Sequence, residues 1–257
     1  MRSQTIPVGD QLRAWRGRRR LSQLDLALDT EISARHLSFL ETGRSRPSRA
    51  MLLRLADRLR IPARDRNLLL AAAGFAPAFP ERRLDDPALA AARRAVDLVL
   101  AAYEPFPVLA VDRNWDMIAA NAGAMALIAG VAEHLLAPPV NVLRLSLHPE
   151  GVAPRIVNLP EWRTHVFRRL EDQIEASADA GLAALLAELR AYPGGTASGV
   201  DIYGGVAVPL VLRSGAGELR FLSTTTTFGT PIDITLSELA IEAFLPADAR
   251  TAQLLGR

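Results

Sequence analysis

The 257-residue chain contains no cysteine, which removes disulfides, thiolate metal sites and cysteine nucleophiles from consideration. Lysine is absent as well. All 30 basic residues are arginine, a side chain suited to bidentate contacts with phosphate and guanine. The four histidines are scattered; His134 and His165 each lack a partner at ligand spacing, so neither a protein metal site nor a haem ligand pair is expected. No apolar run approaches the ~18 residues of a membrane span. The first residues, Met1-Arg2-Ser3-Gln4, lack the apolar core of a signal peptide. There is no G-x-S-x-G elbow, no phosphate-binding glycine loop and no metal-spaced His/Glu set. These absences point to a cytoplasmic protein that is not an enzyme, with no catalytic residues, no metal and no membrane association.

What is present is unevenly distributed. The net charge of +2 conceals two opposite halves. Residues 1–84 hold 17 arginines against 8 acids, a charge of +9, and residues 85–257 hold 13 against 20, a charge of −7. The length accommodates two domains. A basic first third joined to an acidic remainder fits a nucleic-acid module attached to something else.

The stretch Leu21–Ser48 carries the most information. Ser22 is a good N-cap, with Gln23 facing outward behind it and Leu24, Ala27 and Leu28 spaced to bury one helical stripe. A turn falls at Asp29–Ile32. Ser33 caps a second helix that points Leu37 and Leu40 inward and leaves Ala34, Arg35, Ser38 and Phe39 outside. Gly43 is placed to close that helix in the left-handed conformation. An outer face of Arg, Ser and an aromatic, followed by Arg44-Ser45-Arg46, suits a DNA major groove and its flanking phosphates. Around this pair, Gly9–Arg19 reads as a first helix with Leu12 and Trp15 inward, Val8 ahead of them, and Arg16, Arg18, Arg19 and Arg20 toward solvent or phosphate. Arg49–Arg60 and a helix from Pro62 to Gly74 complete a five-helix bundle.

These residues resemble the helix-turn-helix of the Xre, or lambda-repressor-like, regulators. The pattern stands here as Leu21-Ser22-Gln23, Leu26-Ala27, Ile32-Ser33, Leu37-Ser38, Glu41-Thr42-Gly43-Arg44 and Pro47-Ser48. One position departs: Glu31 occupies a turn site usually held by glycine, and positive φ there costs a side-chain-bearing residue roughly 1–2 kcal/mol. The resemblance implies DNA contacts from Gln23, Ser33, Ala34, Arg35, His36, Ser38, Phe39, Arg44, Arg46 and Ser48. Arg35 is the candidate base reader, with a phosphate contact or a salt bridge to Glu31 as its alternatives. Phe39 packs on a thymine methyl or under the following loop. Gln23 and Ser48 contact phosphate or cap helices.

The proline- and charge-rich stretch from Phe75 to Asp86 reads as a hinge, giving an expected division into 1–76, a linker 77–86 and 87–257. Pro87–Tyr103 is an amphipathic helix, with Leu89, Ala92, Val96, Val99 and Leu100 as its stripe. Phe106–Val111 and Trp115–Ala119 form a hairpin, and Asn121–Gly130 is helical. Pro138–Pro160 has no clear period. Helices follow at Trp162–Ala178 and Ala180–Tyr192. Strands at Gly205–Arg213 and Glu218–Phe228 flank a turn at Ser214–Gly217, and Ser237–Phe244 reads as strand or helix. Two strands, helices, then two or three strands describe an antiparallel sheet with helices, in the order of a PAS domain. The fold class is therefore α+β, an N-terminal all-α helix-turn-helix bundle followed by a PAS-like sheet domain.

This second part resembles the MmyB-like regulators through Leu84-Asp85-Asp86-Pro87, Tyr103–Pro107, Val111–Asp116, Ala119–Asn121, Asn141–Arg144, Leu147–Gly151, Asn158–Trp162 and Ser223–Pro231. The resemblance implies a ligand-binding domain for a small apolar or fatty-acid-like effector, no other cofactor, and a transcriptional role on a pseudo-palindromic double-stranded operator bound by a homodimer. Candidate ligand residues are Trp115, Asn121, Arg144, His148, Trp162, Thr225 and Thr227. For each a structural role stands as the alternative: core packing for the tryptophans, loop support for His148, a surface ion pair for Arg144, and β-propensity for the threonines. Competing readings of the domain are an enzyme fused to a DNA-binding head and a ligand-free interaction module.

Overall fold

The computed structural model describes residues 6–197, 208–228 and 233–256. The chain divides into two compact units between Glu81 and Arg82, with Asp233 and Ile234 grouped with the first.

The first unit consists of five helices: α1 (Val8–Arg18), α2 (Gln23–Asp29), α3 (Ala34–Glu41), α4 (Arg49–Arg58) and α5 (Ala63–Ala72). Three serines start three of them. Ser22, Ser33 and Ser48 each accept a hydrogen bond from a backbone N–H of the first turn, and Asp25 returns the bond to Ser22 to make a capping box. At the end of α3, Gly43 sits at φ +72°. Arg44 N–H donates to Phe39 O and Gly43 N–H to Leu40 O, which completes a Schellman motif. Glu31 adopts φ +55°, so the turn keeps its left-handed residue without the glycine. Leu12, Trp15, Leu26, Leu37, Leu40, Leu52, Leu55, Leu59, Ile61, Leu69 and Leu70 form the core. Gly9 lets α1 lie directly on the end of α3, because a Cβ there would stand 2.6 Å from the Leu40 and Glu41 carbonyl oxygens. One expected stripe is corrected. On α2, Leu26 and Ala27 are buried, whereas Leu24 and Leu28 are 59% and 69% exposed.

The second unit is built on a five-stranded antiparallel sheet of order β2-β1-β5-β4-β3. Its strands are β1 (Val108–Val111), β2 (Met117–Ala120), β3 (Leu210–Ser214), β4 (Gly217–Thr227) and β5 (Ala240–Pro246). β5 joins the two hairpins, pairing Val108 with Ala243 on one side and Thr225 with Glu242 on the other. The two-residue period of the strands sorts side chains to opposite faces. Val108, Ala110, Ile241 and Ala243 pack with Val96 and Leu100 of α6 (Ala90–Ala102). The other face, carrying Leu210, Leu212 and Phe221, is covered by α8 (Val142–Leu147), α9 (Leu159–Ser177) and α10 (Ala180–Ala191).

Smaller elements complete the unit: α7 (Ala122–Leu127) after β2, α11 (Ile234–Ser237) from Thr235 onward before β5, and α12 (Ala249–Leu254) at the end. The Pro138–Pro160 stretch, expected to be irregular, holds α8 and a 3-10 turn at Ala153–Arg155. The segment around residues 237–244 is strand from Ala240 onward. Of the expected strand Gly205–Arg213, the first three residues lie outside the described ones, as do residues 229–231 of the Ser223–Pro231 stretch. None of the described helices is long and apolar enough to cross a membrane.

Candidate functional site

The outer face of the helix-turn-helix is organised by one buried carboxylate. Glu41, 2% exposed at the end of α3, accepts from Arg16 Nε and Nη2 at 2.7 and 2.9 Å and from Gln23 Nε2 at 2.7 Å. Arg13 stands 3.8 Å away. Burial alone would raise its pKa, but the hydrogen bonds from Arg16 and Gln23 and the charges of Arg16 and Arg13 outweigh it and hold the carboxyl below its usual range. Two expectations change as a result. Arg16 is not on the solvent face but is clamped to Glu41, and Gln23 does not project freely but is oriented by the same carboxylate. Reading Glu41 as the end of a helix missed this role. Its one sequence signal is an acid at an inward position of α3.

On α3, Arg35 does not pair with Glu31. Its guanidinium lies 5.4 Å over the Phe39 ring, so the two side chains form one cation–π unit on the half-exposed face. Ser38 and His36 are half-buried beside them, and Ala34 packs at the rim of the core. Ser33 and Ser48 spend their hydroxyl oxygens on capping, accepting from His36 N and Met51 N at 3.1 and 3.2 Å. Arg44 and Arg46 are exposed. Some arginines elsewhere in the unit are tied down: Arg58 pairs with Asp29, Arg66 with Asp57 and Arg64 with Glu81. Arg18 and Arg19 stack on Trp15 at 5.8 and 5.5 Å. Arg35, Arg44 and Arg46 have no acidic partner among the described residues.

The second unit encloses an apolar cavity of about 90 Å³ between the sheet and α7–α9. Its walls are Leu109, Met117, Leu210, Leu212 and Phe244 from the strands, and Leu127, Ile128, Leu143, Leu145, Val152 and Val166 from the helices and their connections, with Trp115 and Trp162. Trp115 takes φ +66° at the end of the β1–β2 turn, where Asp112 Oδ1 accepts from the N–H groups of Asn114 and Asp116. Its indole N–H donates to Gln173 Oε1 at 2.8 Å. Trp162 Nε1 donates to Ser146 Oγ at 2.9 Å.

An ion pair between half-buried Arg169 and buried Glu242 supplies the polar part of the wall. Arg169 Nη1 and Nη2 donate to Glu242 Oε2 and Oε1 at 3.0 and 2.8 Å, and the Thr225 hydroxyl donates to Oε1 at 2.7 Å. Arg169 also lies 4.7 Å over the Trp115 ring. Neither Arg169 nor Glu242 was a sequence candidate, because 73 residues separate them. The available signal is a lone acid inside the apolar strand Ala240-Ile241-Glu242-Ala243-Phe244-Leu245.

Of the expected ligand residues, Trp115 and Trp162 line the cavity, and Thr225 stands one hydrogen bond behind it. The others are corrected to structural positions. Asn121 Oδ1 accepts from Val108 N and Ala124 N, and its Nδ2 donates to the Leu100 and Phe106 carbonyls, so it stitches α6, β1 and α7. Arg144 pairs with Glu188 on α10. Its hydrogen bonds hold the Glu188 carboxyl low, while burial and Glu188 push the Tyr192 phenol up to about 12. His148 Nδ1 accepts from Glu150 N–H at 3.1 Å and steadies its own loop. Thr227 is exposed at the end of β4.

The histidines hold one more difference. His134 does have neighbours, since ligand atoms of His134, His148 and Glu150 lie within 4.8 Å of one another. The His148 Nδ1 lone pair is already used, because it accepts from Glu150 N–H.

A basic helix-turn-helix whose outward arginines are unpaired, on the same chain as an apolar cavity in a PAS-like sheet domain, defines the class: a DNA-binding transcription regulator with a ligand-binding domain. The family model described as MmyB-like transcription regulator ligand binding domain matches residues 92–257, and a helix-turn-helix domain model matches residues 7–69. The chain belongs to the MmyB-like family of transcription regulators. It is also similar to the crystal structure of the clp gene regulator ClgR from Corynebacterium glutamicum, at 28% identity over 38% of this chain and 90% of that chain, with a TM-score of 0.23. Among curated proteins none matches.

Proposed function

We propose that residues 1–76 read a pseudo-palindromic operator as a homodimer and that a small apolar molecule in the domain 87–257, joined through 77–86, sets the affinity. Acting on DNA places the protein in the cytoplasm. The observation that carries the reading is the set Arg35, Arg44 and Arg46, placed on α3 and just after it and without acidic partners among the described residues. Arg35, over the Phe39 ring, is the guanine reader, with Phe39 against a thymine methyl. Gln23, Ser33 and Ser48 contribute backbone-directed contacts, and Arg44 and Arg46 meet phosphates. One reading helix covers one half-site, so two copies on one face of B-DNA require half-site centres about 34–36 Å apart.

The effector acts by binding the DNA-competent and incompetent states unequally, since only differential affinity shifts the balance between them. Footprinting on the DNA upstream of the protein's own and neighbouring genes tests the reading. The expected result is a protected inverted repeat at that spacing, with protection changed by an extract-derived molecule that native mass spectrometry finds on the folded dimer and not on denatured protein. Uniform protection without a repeat at low salt overturns it.

A further inference from the structure

The long helix α9 turns two faces to two different spaces. Its helical period sets Trp162, Val166 and Arg169 on the wall of the apolar cavity. Arg163, Phe167, Arg168 and Glu171 instead line a separate groove of about 640 Å³. Arg190 and the loop Gly194-Gly195-Thr196, which follows α10, form its other side.

The groove is built around a buried cation. Arg163 is 2% exposed. Its Nε donates to Gly195 O at 2.8 Å, and Nη1 and Nη2 donate to Pro193 O and Arg190 O at 3.2 and 3.4 Å. Each terminal nitrogen keeps a further N–H beyond these bonds. Gly194, at φ +131°, closes the loop over the Arg163 stem, where a Cβ would stand 3.0 Å from Arg163 Cδ. The guanidinium lies 5.0 Å over the Phe167 ring, and that of Arg190 lies 5.9 Å over the same ring. No carboxylate meets Arg163 among the described residues. Burial alone pulls its pKa down, with no acid to oppose the shift. A buried charge without a counter-charge is costly, and proteins normally pair it.

The rest of the wall does not neutralise it. Three guanidinium groups stand against one carboxylate, that of Glu171, and Glu171 pairs with Arg190. Arg168 is exposed and has no acidic partner among the described residues. The backbone N–H groups of Gly194, Gly195 and Thr196 have no acceptor among the described residues either. Guanidinium forks and loop N–H groups together match the charge and geometry of phosphate oxygens. Because Arg163 is recessed, a small molecule reaches it and the stiff backbone of a duplex does not. We propose that this groove is a second ligand site, separate from the apolar cavity, that takes a phosphate-bearing small molecule between Arg163 and Arg168.

Calorimetric titration of the full chain at neutral pH tests this, with inorganic phosphate and phenyl phosphate as probes and sodium chloride at matched ionic strength as the blank. The arginines of the helix-turn-helix also attract phosphate, so the titration is repeated on Arg168→Ala and on the double variant Arg44→Ala/Arg46→Ala. All three side chains are exposed, so both variants are expected to fold. The expected result is one site per chain, kept in the double variant and weakened about ten-fold or more in Arg168→Ala. Arg163→Gln should abolish binding, and the Arg168 comparison decides the matter if that variant does not fold.

Tighter binding of phenyl phosphate identifies an ester as the natural form, and tighter binding of inorganic phosphate identifies the free anion. Both orders support the site. Binding that survives Arg168→Ala unchanged and disappears in the double variant belongs to the helix-turn-helix and overturns the proposal. Heats no larger than those of the chloride blank overturn it as well.

Discussion

Glu31 holds φ +55° in the turn between α2 and α3, a conformation that costs an L-residue roughly 1–2 kcal/mol and glycine almost nothing. Glu31→Gly is therefore expected to stabilise the helix-turn-helix. After the entropy glycine returns to the unfolded chain, the net gain is about 1 kcal/mol, read as a raised denaturant midpoint with an unchanged slope. Arg35 and Arg44 separate two kinds of contact at the same scale. Arg35→Ala should cost about 1–3 kcal/mol on the cognate operator and relax preference at one base position. Arg44→Ala should weaken binding about equally on all sequences and lower the salt slope by about one. Operator-variant titrations at two salt concentrations distinguish them, and equal losses for both variants on every sequence contradict the assignment of Arg35 to a base.

At the scale of elements, Glu41 joins α1, α2 and α3 through Arg16 and Gln23. Its folded-state pKa is depressed below the ordinary 4.5, so its contribution is complete above that value and is lost as pH falls through the depressed one. The helix-turn-helix should accordingly lose stability on acidification below about pH 4.5, and Glu41→Gln should remove most of this acid sensitivity while costing about 3 kcal/mol at neutral pH. Amide exchange of α2 and α3 against pH checks both statements. An unaltered acid limb in the variant would assign the sensitivity elsewhere.

The helices of the first unit were legible because each carries local chemistry: a serine at the start of three, and glycine or a buried leucine pattern at the ends. What was not legible depended on distant partners. The α2 stripe has two helical registers with leucines, and only packing against the neighbouring helices chooses Leu26 over Leu24 and Leu28. Arg16 reads as a solvent residue until Glu41, 25 residues on, is brought beneath it. The six residues of α8 are too few to show a period between prolines. The cavity's ion pair is invisible in any local window because α9 supplies one half and β5 the other.

For the molecule as a whole, the asymmetry of +9 in residues 1–84 against −7 in the rest confines attraction for DNA to one end of the chain. If a dimer places Arg44 and Arg46 of each copy on phosphates, four contacts set a slope of log K against log salt of about −3.5 or steeper. A slope near zero with intact specificity would be incompatible with that arrangement. The sheet adds a consequence of a different kind. β5 is last in sequence yet lies between β1 and β4, and it is the strand that links the two hairpins in the order β2-β1-β5-β4-β3. A nascent chain therefore has its helix-turn-helix outside the ribosome long before the sheet can close. Until residues 240–246 emerge, the two hairpins have no common partner and the pocket wall lacks Glu242 and Phe244. Each newly made copy thus completes its helix-turn-helix before its cavity.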